Sequence, residues 1–326
     1  MSSRKATTKS APKPRRASPS LSHTLSTQFV GQYISQVARI VTTVSPDLGP
    51  DREGFIHQYT SLRAFDDALR TGFREIWASS ATFMNDSREF EEGRDIFADA
   101  VKAVHASTKS KWKKTFLAKV ERSLEDLDGH EVFCACFTSE GDHLGQWRGY
   151  GDRGNGCCMS FDFAKLESSI NGIGSWVVYD EKKQSQIANE ILQAFMEEVE
   201  RLWKPFTIPL QVKAAEFASR TFLDLLPALC LLFKHSSFAE EREYRVIYSD
   251  PVRKRACPSD VRLAASTFVP FVKLDFDHQA SAPLTRVRLG PGMGVKKHLV
   301  SVEKLLRCRG FDSADVRLSE IPYLPM

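Results

Sequence analysis

The chain has 326 residues, 42% of them hydrophobic, and a formal charge of +4; this fits a folded globule of one large domain or two ordinary ones. No run reaches the roughly 18–20 uninterrupted apolar residues of a spanning helix, and the most apolar stretch, residues 221–233, is interrupted by Asp224 and Pro227. Residues 1–20 contain six Lys and Arg and no acid, so the rest of the chain carries −2 and has little charge-based claim to nucleic acid.

Residues 1–20, rich in Ser, Pro and cations, read as a disordered basic tail able to contact nucleic acid. No apolar run follows the charges, which argues against a secretory signal. Seven cysteines without a C-x-x-C pair suit reduced thiols in a cytoplasmic protein. From Leu21 to about Thr43, Leu25, Phe29, Tyr33, Ile34, Val37, Ile40 and Val41 recur at helical spacing. An amphipathic helix is expected there, packed on the main domain or on a partner, with self-association through 21–43 as one form of that contact. Residues 21–50 thus form a helix and linker, and 51–326 a single α+β domain.

A strand is expected at 54–62, ending at Tyr59, Thr60 and Ser61, either of the last two capping a helix that Gly72 closes. A second strand passes through Ile76–Ala78; Asn85 or Asp86 then caps a helix that opens with Glu89. A charged helix follows at about 109–127. Residues 131–162 read as strand, Gly-rich loop and strand, the loop carrying Trp147, Arg148 and Tyr150. Strand 174–180, helix 182–203, a buried helix 211–233, strands at 268–276 and 284–289, a "GPGMG" turn, helix 297–308 and a last strand "DVRLSEIPY" complete the chain. Strands and helices lack a regular βαβ rhythm, which favours an α+β fold.

The stretch "KHSSFAEEREYRVIY", residues 234–248, carries the densest chemistry. On a strand, Glu241, Glu243 and Arg245 would share one face. Three readings are open: surface ion pairs with Lys234 and the arginines, a carboxylate pair that stabilises an oxocarbenium ion, or a divalent-metal nuclease site formed with Asp86 and Glu89.

Five blocks, "FIHQYTSLRAFDDALRTG", "IWASSATFMNDSREFEEG", "VFCACFTSEGDHLGQWRGYGDRGNGCCMSFD", "FKHSSFAEEREYRVIY" and "RLGPGMG…LSEIPY", follow in order. In that order they resemble the bacterial domain of unknown function numbered 2971, over about residues 54–325. More distantly, the layout resembles an ADP-ribosyltransferase fold with a mixed or antiparallel sheet. That resemblance implies NAD as substrate, Glu243 on the nicotinamide ribose, Glu241 assisting the acceptor and Tyr59 in the catalytic set. It further implies NAD contacts from Gln58, Thr60, Ser61, Arg63, Trp147, Arg148, Tyr150, Lys234 and Arg245, with His57 among the first-strand candidates. The implied acceptor is a nucleic acid or protein, in the setting of a toxin or anti-phage defence, with no metal and no membrane. A metal-dependent nuclease and a non-catalytic nucleotide-binding module are the alternatives.

Overall fold

The computed structural model describes residues 21–84, 88–124, 131–169, 172–203, 209–249, 258, 260–264, 267–276, 283–294 and 296–323. The elements in chain order begin with α1 (Leu21–Val44), β1 (Phe55–Thr60), α2 (Leu62–Arg70), β2 (Glu75–Ser80), α3 (Glu89–Ser107), α4 (Lys111–Ser123) and β3 (Phe133–Thr138). Next come α5 (Leu144–Gly149), β4 (Cys157–Asp162), α6 (Phe163–Ser169), β5 (Ile173–Trp176), α7 (Glu181–Trp203) and α8 (Pro209–Cys230). The chain then forms β6 (Glu243–Tyr248), β7 (Asp260–Ala264), β8 (Thr267–Asp275), β9 (Leu284–Leu289), α9 (Lys296–Cys308) and β10 (Asp315–Leu318).

The described strands form one open mixed sheet in the order β10-β9-β4-β1-β3-β2-β8-β7, with β6 on β3 and β5 on β6. Its pairs are antiparallel except β9 with β10. Among the described residues no helix is long and apolar enough to cross a membrane.

Aromatic packing explains the helical layer. Phe29, Tyr33, Val37 and Val41 recur every four residues and are buried, so one stripe of α1 is apolar. Phe29 and Tyr33 meet Phe195 of α7 edge-on, with ring centroids 5.4 and 5.2 Å apart. The tyrosine hydroxyl donates to Ile191 O at 3.1 Å. Phe29–Val41 therefore pack this stripe within the chain. Phe195 also packs on Phe116 of α4 and Phe222 of α8, and Phe222 on Phe97 of α3. Where α3 crosses α8 the backbones nearly touch: a Cβ on Gly93 would lie 2.3 Å from Cys230 O and 2.6 Å from its Cα. Gly93→Ala is expected to destabilise the protein by about 1–3 kcal/mol, because backbone cannot yield as a flexible side chain can. Chemical denaturation of the two proteins measures it.

Several expectations change. The Gly-rich loop holds a helical turn, α5, because Asp142 and partners distant in sequence anchor it. The buried helix expected to run to 233 ends at Cys230; Phe233 then bridges Val178, which turns the chain toward Lys234. Residues 260–264 form a hairpin partner to β8, and α6 follows β4; neither element was expected. The last strand stops at Leu318, since Ser319 Oγ and Glu320 N turn away to Asp142. Asn85 and Asp86, the expected caps of α3, lie outside the described residues, as does the side chain of Glu89.

Candidate active site

The sheet forks at β3. One edge of β3 is paired along its length with β6, from Phe133↔Tyr248 to Thr138↔Glu243. The other edge is shared. β1 meets it at His57↔Thr138, and β2 meets it at Ser79↔Cys134 and Ser80↔Phe133. Between these contacts β1 and β2 diverge, and the amide of Gln58 enters the gap, donating to Cys136 O at 3.2 Å. That hydrogen bond satisfies a carbonyl the ladder leaves open.

A cavity of about 260 Å³ occupies the fork. Gln58 and Tyr59 face it from β1, Trp77 and Ser79 from β2, Gln146 and Tyr150 from α5 and its end, and Lys234, Glu241 and Glu243 from the opposite side. Arg262 of β7 lines its far end and donates to Ser79 Oγ at 2.9 Å.

Glu241, Glu243 and Lys234 form its charged wall, with Arg245 behind Glu243. Arg245 Nη2 donates to Glu243 Oε2 at 2.7 Å, and Lys234 Nζ lies 3.4 Å from the same oxygen. Lys234 Nζ also donates to Glu241 Oε2 at 2.5 Å, while Tyr150 OH donates to Glu241 Oε1 at 2.9 Å. Arg245 is 0% exposed, Lys234 3% and Glu243 6%; charges so buried persist only when paired. Burial opposes ionisation of Glu243, but Arg245 and Lys234 outweigh it and hold the carboxyl at about 2. Glu243 is therefore ionised at neutral pH.

Local backbone explains how both glutamates reach one cavity. Glu241 ends a 3-10 turn, Ser236–Glu241, rather than sharing the strand with Glu243 as alternation suggested. Arg242 between them is left-handed, with φ 42°, an unfavourable conformation for a residue with a Cβ. Its Nε donates to Ser139 Oγ at 3.0 Å, and Thr138 Oγ1 donates to Glu241 O at 2.6 Å, so β3 holds the reversal in place. Two further groups brace the site without having been expected from sequence. Tyr179 OH accepts the Glu243 backbone N–H at 3.1 Å. The Gln184 amide bonds both Val178 O (2.8 Å) and Lys234 O (2.9 Å), fixing the segment that carries the ammonium.

The depressed acidity of Glu243 has a consequence for stability. The unfolded carboxyl titrates near 4.5 and the folded one near 2, so this group stabilises the fold above pH 4.5 and loses that contribution as pH falls toward 2. The stability gap between wild type and Glu243→Gln should narrow by a few kcal/mol over that window. Urea titrations of both proteins at stepped pH measure it.

The remaining expected residues are spread more widely. Tyr59 presents its ring to the cavity, but its hydroxyl donates to Glu140 O at 2.8 Å and accepts from His143 N at 3.0 Å. Burial pushes that phenol well above its ordinary range, so it remains protonated. Trp147 is fully buried beneath Tyr59, edge-on at 4.7 Å, and does not line the cavity. Thr60, Ser61, Arg63, Arg148 and Arg245 do not line it either. Ser61 caps α2 by accepting from Ala64 N at 3.2 Å. Arg63 is exposed in the first turn of α2, Arg148 lies over the Tyr323 ring at 5.1 Å, and Arg245 sits behind Glu243.

His57 touches the cavity but has both ring nitrogens engaged, Nδ1 with Ser160 Oγ at 3.0 Å and Nε2 with Asp51 Oδ2 at 2.9 Å. A Cβ on Gly141 would lie 2.7 Å from the His57 ring, so glycine is needed for that loop to cover it. The set has the residue types of a hydrolytic triad, yet Ser160 is 1% exposed on an inner strand, out of a substrate's reach. Gln146, Trp77 and Arg262 line the cavity without having been expected; Gln146 stands directly before Trp147 in the quoted loop, which was its available signal.

Fold and site together define an α+β protein with a forked sheet and a buried carboxylate–cation cavity. Residues 146–246 match the model of a family described as "Protein of unknown function (DUF2971)", in agreement with the resemblance carried by the third and fourth blocks. The matched segment runs from Gln146 to Val246 and includes Tyr150, Lys234, Glu241, Glu243 and Arg245. No curated protein and no solved structure matches the chain.

Proposed function

We propose that the forked cavity binds NAD and that Glu243 promotes cleavage of its nicotinamide–ribose bond, transferring ADP-ribose to a macromolecule or to water. One observation carries the reading: an ionised, buried carboxylate stands on the wall of a cavity that also presents two amides, Gln58 and Gln146, and the aromatic residues Tyr59, Trp77 and Tyr150.

The chemistry suits those groups. As the C1′–N bond breaks, its electron pair passes to the pyridinium nitrogen and nicotinamide leaves neutral, so no general acid is needed. What the reaction demands is stabilisation of a cationic ribosyl centre and exclusion of water. A preorganised carboxylate supplies the first, and burial of the ribose against the walls of the fork the second. Tyr59 and Tyr150 offer ring surfaces to a flat heterocycle, while Gln58 and Gln146 offer amides to its carboxamide. Glu241, bonded to Tyr150 and Lys234, receives in this reading the proton that an acceptor loses on attacking C1′.

A metal-dependent nuclease is less well supported. Glu241 and Glu243 already face Lys234 and Arg245, which balance the charge a divalent ion would neutralise.

NAD labelled in its adenylate half, incubated with the protein and with candidate protein and nucleic-acid acceptors, tests the proposal. Label on an acceptor indicates transfer, and free ADP-ribose indicates hydrolysis. Intact NAD after incubation with every acceptor would count against the reading.

A further inference from the structure

We infer that Asp142 is a positioning residue for the cavity wall and that Ser319–Tyr323 is a clasp acting through it. The kinetic part of this inference rests on the NAD reading above; the structural part does not.

Asp142 lies outside the cavity lining, yet its carboxylate joins three distant parts of the chain. Trp147 Nε1 and Ser319 Oγ each donate to Oδ1 at 2.7 Å. Glu320 N donates to Oδ2 at 2.8 Å and Arg288 Nη1 at 3.0 Å. Four donors fill the acceptor capacity of one carboxylate, and one of them is a guanidinium, which makes that bond strong.

Its leverage comes from the shortness of α5. A six-residue helix is too short to hold its shape alone, so its position follows its tethers. Those tethers converge from the C-terminal segment: Ile321 packs on Tyr59, Trp147 and Cys158, and the Tyr323 ring faces Arg148 and Gly154. At the other end of the same unit Tyr150 grips Glu241. Releasing Asp142 therefore frees α5, and with it Gln146 and the hydroxyl that orients Glu241. Glycines leave the backbone of this loop permissive; Asp142 is what fixes it.

The test uses the full chain as wild type, Asp142→Asn and Ser319→Ala. Asparagine keeps the shape of the side chain but turns an NH₂ toward at least one of the four donors. Hydrogen exchange at the Trp147, Tyr150 and Gly151 amides should quicken by about tenfold or more in Asp142→Asn, and by less in Ser319→Ala, with β1 and β4 unchanged. With NAD, KM should rise about tenfold in Asp142→Asn with little change in kcat, because α5 forms a wall rather than the charge at the ribose.

Unchanged exchange in α5 would overturn the inference, and so would an equal loss of protection across α5, β1 and β4, which would mark a general structural role. A fall in kcat at constant KM would overturn the wall assignment. If wild type releases no nicotinamide, the exchange result still decides the clasp, and only the NAD reading falls.

Discussion

Glu243→Gln is expected to slow nicotinamide release from NAD by about 100- to 1000-fold with little change in KM. Glutamine keeps the length and planar end of the side chain, so cavity shape and ground-state contacts persist. What disappears is the negative charge, which matters most when the ribosyl centre is cationic. Arg245 is left without its carboxylate partner at 2.7 Å, whereas Lys234 retains Glu241 at 2.5 Å. Circular dichroism and equilibrium binding of NAD must therefore accompany the kinetics. A folded variant that binds NAD and turns it over at the wild-type rate would remove Glu243 from the mechanism. Glu241→Gln provides the contrast: release of nicotinamide into water should largely survive while labelling of an acceptor falls.

The second large effect concerns stability. Arg245→Met is expected to destabilise the protein by about 3–5 kcal/mol, lowering the melting temperature by roughly 5–10 °C. Arg245 is fully buried, and besides Glu243 it serves Leu231 O, to which Nη1 donates at 2.8 Å. Deleting it removes the nearer cation from a buried carboxylate and the donor from a carbonyl, and leaves Glu243 to Lys234, 3.4 Å away and shared with Glu241. Much of the loss should return in the double variant Arg245→Met/Glu243→Gln, since removing both charges removes the desolvation problem. Calorimetry on the four proteins of this cycle gives the coupling directly. Simple additivity would contradict the ion-pair account.

Local patterns in the sequence carried much of the fold. The alternation of residues 284–289 and the apolar run 133–138 sit on β9 and β3. Of the apolar residues at helical spacing in 21–43, Phe29, Tyr33, Val37 and Val41 are buried, while Ile34 and Ile40 are only partly so. Proximity of Glu243 to Arg245 follows from strand period alone, since residues two apart share a face. Glu241 shows the limit of that argument. Its spacing from Glu243 matches a strand, but a left-handed Arg242 separates the two, and no glycine or asparagine announces the turn. Trp147 shows another limit. A Gly-rich loop reads as open, whereas Asp142 and Ser319, 177 residues apart, enclose the indole. The fork itself was not legible, because it arises where β1 and β2 take different ends of one edge of β3, a non-local choice that no local pattern encodes.

We propose that this cavity breaks the nicotinamide–ribose bond with its own carboxylate and without a metal ion. The most direct measurement is chromatographic detection of free nicotinamide from NAD with wild-type protein, in the presence of EDTA and alongside Glu243→Gln. Release by wild type in EDTA, and its loss in the variant, is the predicted result. Intact NAD in every sample, together with nucleic-acid cleavage that requires added magnesium or manganese, would contradict the account.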